Sequence, residues 1–188
     1  QAVHRHARRL WTQGGDDCTA SLALCRRGQI VNVLTGPPAH QAHDAPLVHR
    51  FMQSEGIKVV CGGSTAKMVA RVLNRRMEVE QESSSLVAPP HYAIEGVDLV
   101  TEGAVTLNQV YNVFDEDIRA LKEYSGVTEL CALLHIADRV NLIQGGAQNT
   151  ASEDISMRQR GILTRDRILP LLVEKLRADG KLVVVDRA

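Results

Sequence analysis

Residues 57–73 read Ile57-Lys-Val-Val-Cys61-Gly62-Gly63-Ser64-Thr65-Ala66-Lys-Met-Val69-Ala70-Arg-Val-Leu73. The first five form a short, apolar, β-branched run of strand length, and two glycines interrupt it. Beyond them Ala66, Val69, Ala70 and Leu73 recur at the three- and four-residue spacing of a helix that buries one face. Strand, glycine turn and helix in immediate succession form the building unit of an α/β sheet, because the helix must lie back across the strand it follows.

The same unit recurs on either side. Upstream, an apolar run over 29–35 stops at Gly36-Pro37-Pro38, where proline removes the donors a strand needs. Asp44 is placed to cap a helix over 45–54 with Pro46 in its first turn, and Gly56 ends it. Downstream, Val97–Thr101 leads through Glu102-Gly103 into a helix predicted over 106–123, and another follows over 127–136. A strand over 139–143 ends at Gly145-Gly146; a helix over 165–178 ends at Gly180 and delivers the strand Leu182–Val185. Residues 1–12 predict a short amphipathic helix stopped by Gly14-Gly15. Thr19–Cys25 and 29–34, flanking Arg26-Arg27-Gly28, predict a hairpin. The expected fold is α/β: a mostly parallel, doubly covered, Rossmann-like three-layer sheet with an N-terminal helix and hairpin. Ser83–Ser85 with Pro89-Pro90, and 147–160, read as loops.

Composition narrows the function classes. With 188 residues and 44% hydrophobic content the chain can bury a core, and 22 basic against 22 acidic residues leave no net charge. No bulk field draws it to nucleic acid or to a membrane surface, so neither is expected as a partner. The basic run His4–Arg9 reads as a solvated helix face. No apolar run approaches the roughly 20 residues that cross a bilayer, and the N-terminal residues lack a signal-peptide core, so a cytoplasmic location is expected. Cys18, Cys25, Cys61 and Cys131 form no C-x-x-C pair and sit in apolar segments, the pattern of reduced core thiols.

Three constellations can carry chemistry. In a parallel sheet the turns at Gly36, Gly62-Gly63-Ser64-Thr65, Glu102-Gly103 and Gly145-Gly146 all emerge at the C-terminal edge, where open α/β sheets bind ligands. Of these, Gly62–Thr65 has glycines for close approach and a helix start whose free N–H groups favour an anion; ordinary capping by Ser64 or Thr65 is the structural alternative. It has neither Walker A nor dinucleotide-fingerprint spacing, and Glu102 on the same rim would repel a phosphate. Second, Asp16 and Asp17 offer adjacent carboxylates to a hard cation, or simply a solvated turn. Third, His4/His6 and His40/His43 have metal-compatible spacing but lie in polar segments and read as surface histidines, while His91 and His135 read as structural. Nothing near Cys61 lowers its pKa toward a nucleophile's.

Taken together, Gly-Asp-Asp-Cys-Thr (15–19), Leu34-Thr-Gly-Pro-Pro38, Val60-Cys-Gly-Gly-Ser-Thr-Ala66 with Val69-Ala-Arg71, and Gly96-Val-Asp-Leu-Val-Thr-Glu-Gly103 with Thr106-Leu107 resemble the C-terminal region of bacterial phosphatases of the sporulation stage II protein E family. The likeness spans roughly 13–185. It implies that residues 1–27 are the tail of a metal-dependent Ser/Thr protein phosphatase domain and 28–188 a C-terminal accessory domain. It further implies that Asp16, with Asp17 beside it, belongs to a Mn2+ or Mg2+ site that activates water against a phosphoprotein substrate. The remaining acidic ligands are expected upstream, so this chain alone is expected to be inactive. The expected function is regulatory: a small anionic or polar ligand bound at the strand ends biases the phosphatase domain. The rivals are a free-standing enzyme on a phosphorylated metabolite, with Glu102 or Asp98 as base, and a docking module that pairs with a partner or forms a homodimer.

Overall fold

The structure, a computed structural model, describes residues 2–10, 21–81, 91–117, 125–147, 159 and 161–188. Seven strands form one sheet: β1 (Ile30–Thr35), β2 (Ile57–Cys61), β3 (Met77–Gln81), β4 (His91–Ile94), β5 (Leu99–Thr101), β6 (Arg139–Gln144) and β7 (Leu182–Arg187). Their spatial order is β3-β4-β5-β2-β1-β6-β7. The pairs β1–β2, β1–β6, β2–β5 and β6–β7 are parallel; β3–β4 and β4–β5 are antiparallel. The helices are α1 (Ala2–Leu10), α2 (Asp44–Gln53), α3 (Gly63–Leu73), α4 (Ala104–Val113), α5 (Gly126–Ile136) and α6 (Arg165–Ala178), with a 3-10 turn at Gln41–His43.

Alternation along the central strands builds two cores. Val31, Val33, Val59, Cys61, Leu99, Val140, Leu142 and Val183 face α4, α5 and α6, meeting Leu107, Leu130, Leu134, Ile168 and Leu172. Leu34, Val60, Val100 and Ile143 project to the other face, against Leu47, Val48 and Phe51 of α2 and Ala66 and Val69 of α3. This is the three-layer α/β arrangement, in which parallel strands covered on both sides read as continuous apolar runs. Asn32 on β1 and Asn141 on β6 are polar residues facing each other across adjacent central strands. Asn141 Nδ2 donates to Asn32 Oδ1 at 2.8 Å, and Asn32 Nδ2 donates to the Glu55 carbonyl at 2.8 Å, so burial leaves neither pair of facing groups unmatched.

Strand order decides where a ligand can enter. From β1 the chain steps to β2, crosses to the far edge at β3, fills inward through β4 and β5, then returns to the opposite side of β1 for β6 and β7. Connections therefore diverge at the C-terminal ends of β1 and β6, which opens a crevice between them.

Several expectations are corrected. Ser21–Gln29 has no regular structure, so there is no hairpin among the described residues; Leu22 and Leu24 are exposed. The segment is instead strapped to the N-terminal edge of the sheet. Both guanidinium nitrogens of Arg26 donate to Asp138 at 2.7 Å, and the Gln29 N–H donates to the same carboxylate at 2.7 Å. These bonds, Arg26's first, hold the Asp138 carboxyl below its ordinary range. An ion-paired strap reaches that edge without strand pairing, which is why the strand-like composition misled. Cys25 is exposed, not a core thiol, whereas Cys61 and Cys131 are buried and free. Asp44 is the first residue of α2, not its cap: it is buried and paired with Arg71, and its N–H donates to Gln41 O of the preceding 3-10 turn. Helix α4 ends at Val113, and 118–123 of the predicted helix lie outside the described residues. The antiparallel pair β3–β4 has no counterpart in the sequence reading, because loop chemistry at Ser83–Ser85 and Pro89-Pro90 dominated that stretch; these residues, like most of 147–160, lie outside the described ones.

Phe51 is fully buried between α2 and the sheet. Replacing it with Ala should lower unfolding free energy by about 3–5 kcal/mol, through lost transfer energy and the cavity left behind, as read from the urea midpoint.

Candidate functional site

At the C-terminal edge of the sheet lies a cleft of about 180 Å³, lined by Thr35, Gly36, Pro37, Cys61, Gly62, Ser64, Thr65, Gly103, Ala104, Ala147, Thr164, Arg165 and Asp166. It draws on the ends of β1, β2 and β5, the turn after β6, and the starts of α3, α4 and α6. The glycine turns singled out in the sequence thus converge, because their strands run parallel.

Two glycines are required by conformation. Gly36 has φ +81° and Gly62 φ +116°, a region that L side chains rarely occupy. At Gly36 a β-carbon would also overlap Nη1 of Arg165, so the missing side chain admits the guanidinium. The Gly36 N–H donates to Thr65 Oγ1 at 2.8 Å, fastening the β1 turn to α3. Thr65 therefore bridges two turns and does not cap its helix, and Ser64 is exposed; Gly62 occupies the cap position.

The helix starts explain what the cleft can hold. The cap positions of α3, α4 and α6 are Gly62, Gly103 and Thr164, and none supplies a side-chain hydrogen bond to the first turn. Helix α5, which does not line the cleft, begins with a complete capping box between Ser125 and Thr128. First-turn N–H groups and the positive ends of three helix dipoles thus meet around one space. Arg165 adds a formal charge. Its side chain is 17% exposed; Nη2 donates to the Ala147 carbonyl at 2.7 Å, while buried Nε has no hydrogen-bond partner among the described residues and stands 3.7 Å from an Asp166 oxygen. Asp166, which also lines the cleft, is 68% exposed, accepts from Gln144 Nε2 at 2.8 Å and keeps its negative charge beside Arg165, where water screens it. The approach to α6 is set by Asn108, which exchanges two hydrogen bonds with Leu163, at 2.9 and 3.0 Å.

The other predicted residues fall around this centre. Gly63 is the first residue of α3, and a β-carbon there would meet nothing within 4 Å, so packing does not require glycine at that position. Gly145 donates its N–H to the Thr35 carbonyl at 2.9 Å and Gly146 to the Ala188 carbonyl at 2.7 Å; both tie the sheet edge together beneath the cleft lining. Glu102 turns to Tyr92, whose phenol is raised by its burial and then by the charge and hydrogen bond of Glu102. Asp98 sits at the start of β5, away from the cleft, accepting from the Lys58 N–H at 2.7 Å. Asp16 and Asp17 lie outside the described residues, and no group of three metal-capable side chains occurs among the described ones. His40 and His43 stand edge to face, 6.0 Å apart; His135 stacks on Phe114 and bonds its carbonyl, a structural role.

Sequence reading missed Thr164, Arg165 and Asp166. They lie far along the chain from the glycine turns, at a helix start with no motif, and only the return of the chain to β6 and β7 brings them in.

Cys61 closes the floor of the cleft. Burial pushes its thiol up to about 11, against a smaller lowering by the hydrogen bond from Thr101 Oγ1 at 3.3 Å, so it stays neutral at physiological pH and is no nucleophile. Comparison with known protein families, with curated proteins and with solved structures found no match for this chain.

The buried thiol couples stability to pH. The folded state keeps the Cys61 proton that the unfolded state releases above about 9, so stability should fall from there toward pH 11, with a slope of at most about 1.4 kcal/mol per pH unit. Denaturant midpoints of the chain against Cys61→Ala test this: the variant should lose that part of the slope. In a Cys18→Ser background, a thiol reagent at pH 8 should label Cys25 in the folded protein and reach Cys61 and Cys131 only after unfolding.

Proposed function

We propose that this chain is a ligand-binding module that takes a small anion, of phosphoryl or similar charge, in the cleft at the C-terminal ends of β1 and β2. What carries the reading is the meeting of three helix starts without side-chain caps and the Arg165 guanidinium around one cavity. An anion there satisfies N–H groups that the protein leaves without side-chain partners, and the low-dielectric floor at Cys61 strengthens each contact. Glu102, the residue expected to oppose an anion, is engaged with Tyr92 and is not among the residues that line the cleft, which weakens that objection.

The resemblance to stage II sporulation protein E phosphatases extends the proposal. The module is the accessory domain of a metal-dependent protein-serine/threonine phosphatase, and ligand binding biases that phosphatase, whose Mn2+ or Mg2+ site would include Asp16 and Asp17. The strap of Arg26 and Gln29 on Asp138 supports a mechanical link, since it joins the N-terminal segment to β1, which runs directly to Gly36. If saturating anion leaves the rate of the complete phosphatase unchanged, the regulatory part fails. The free-standing enzyme is disfavoured, because Glu102 is engaged with Tyr92, Asp98 lies away from the cleft, and Cys61 is held neutral. No described helix is long and apolar enough to cross a membrane.

A docking role has one observation in its favour. Strand β7 ends the sheet, and Leu182, Val184 and Val185 along it are exposed, although Arg177 donates to the Val183 carbonyl and covers part of the edge. If β7 pairs with a second copy, light scattering should give a dimer that Val185→Lys converts to a monomer; a monomeric parent chain removes this reading.

Thermal shift with inorganic phosphate and sulfate tests the main proposal. At about 100 times its dissociation constant an anion should stabilise the fold by about 2.7 kcal/mol. Arg165→Gln should weaken it about tenfold or more, having lost a charge-assisted contact. No shift with either anion, or an undiminished shift in the variant, would reject the cleft as an anion site.

A further inference from the structure

We infer that the ligand carries two anionic groups, one seated in the cleft and a second held by Lys67 in the groove beside it; this rests on the anion-binding reading above. The cleft alone, at about 180 Å³, falls below the roughly 300–1,000 Å³ of small-molecule sites, so a ligand larger than a single anionic group would have to extend beyond it. Its way out is marked. A groove of about 520 Å³ runs between the β1–α2 connection and α3, and shares Pro37 and Ser64 with the cleft. Pro38 and Met68 give this groove apolar walls, and Gln41 gives it a neutral polar group.

Charge in the groove is unevenly matched. Arg71 is paired with the buried Asp44 carboxylate, so those two cancel. Lys67 is exposed, lines the groove, and has no ion pair among the described residues. It follows Ser64 by three positions on α3, which puts their β-carbons about 5–6 Å apart on one helix face. A four-carbon stem spans the rest, so an ammonium and the cleft donors can hold neighbouring anionic groups of one molecule. A ligand with a single anionic group would use the cleft and leave Lys67 idle. A diphosphate, or a bisphosphate with closely spaced groups, would use both.

Calorimetric titration of the full chain and of Lys67→Gln with inorganic phosphate and inorganic pyrophosphate separates the two levels of the argument. Glutamine keeps the helix propensity of lysine, and circular dichroism checks that the fold is retained. Pyrophosphate should bind the parent chain about tenfold tighter than phosphate, and most of that preference should disappear in Lys67→Gln. An undiminished preference in the variant overturns the role of Lys67, while phosphate binding that still depends on Arg165 leaves the cleft intact as an anion site. Failure of both anions to bind the parent chain overturns the two readings together.

Discussion

Strand β1 is hydrogen-bonded on both sides, to β2 and to β6, in parallel register over nearly its whole length. Everything else is arranged around that double pairing. Parallel neighbours cannot be joined by tight turns, so each connection must cross the sheet as a helix, and the crossings must cover both faces. The two helical layers, the two apolar cores and the convergence of strand-end turns at one edge all follow from it. The crevice follows too, since the chain leaves β1 in one direction and returns to it from the other.

That geometry creates an electrostatic problem at one end of the molecule. Helices that succeed parallel strands begin at the C-terminal edge, and each start has N–H groups without intrahelical partners. At the start of α5, away from the cleft, side chains answer the demand, since Ser125 and Thr128 cap each other's backbone, whereas α2, also outside the cleft lining, starts without a side-chain cap. Around the cleft they do not. Gly62 and Gly103 have no side chain to offer, and Thr164 makes no cap. Arg165 enlarges the imbalance, admitted over the bare Cα of Gly36. The cleft therefore gathers uncapped helix starts because of how its backbone is placed, with Arg165 and Asp166 its only formally charged lining residues among those described.

The opposite edge works by direct pairing. Asp138, immediately before β6, takes two bonds from Arg26 and one from the Gln29 N–H. One carboxylate thereby secures the incoming chain against the two strands whose far ends form the crevice. The N-terminal segment and the cleft lie at opposite ends of the same strand, about 20 Å apart at 3.3 Å per residue, connected by a buried element that cannot bend independently of its neighbours.

Much of this could be read from local sequence, and the residues show why. Ile57–Leu73 declares strand, turn and helix because alternation, paired glycines and a three-to-four spacing are properties of adjacent residues; the boundaries of β2 and α6 match the reading because each is flanked by glycine or a sharp change of period. Gly36, Gly62 and Gly103 were identifiable as strand-end turns for the same reason. The hairpin over 19–34 failed because strand composition says only that a segment tolerates extension, whereas pairing needs a partner. Which residues complete the cleft was not local at all. Arg165 carries no motif, the covering of Glu102 by Tyr92 depends on β4 lying beside β5, and the neutral state of Cys61 depends on burial by several elements. Sequence alone determined the order and kind of the elements, because short-range periodicity encodes them. Tertiary structure decided which helix starts meet, which charges are matched and which are left facing open space, because those depend on strand order, and strand order is set by the packing of residues far apart in the chain.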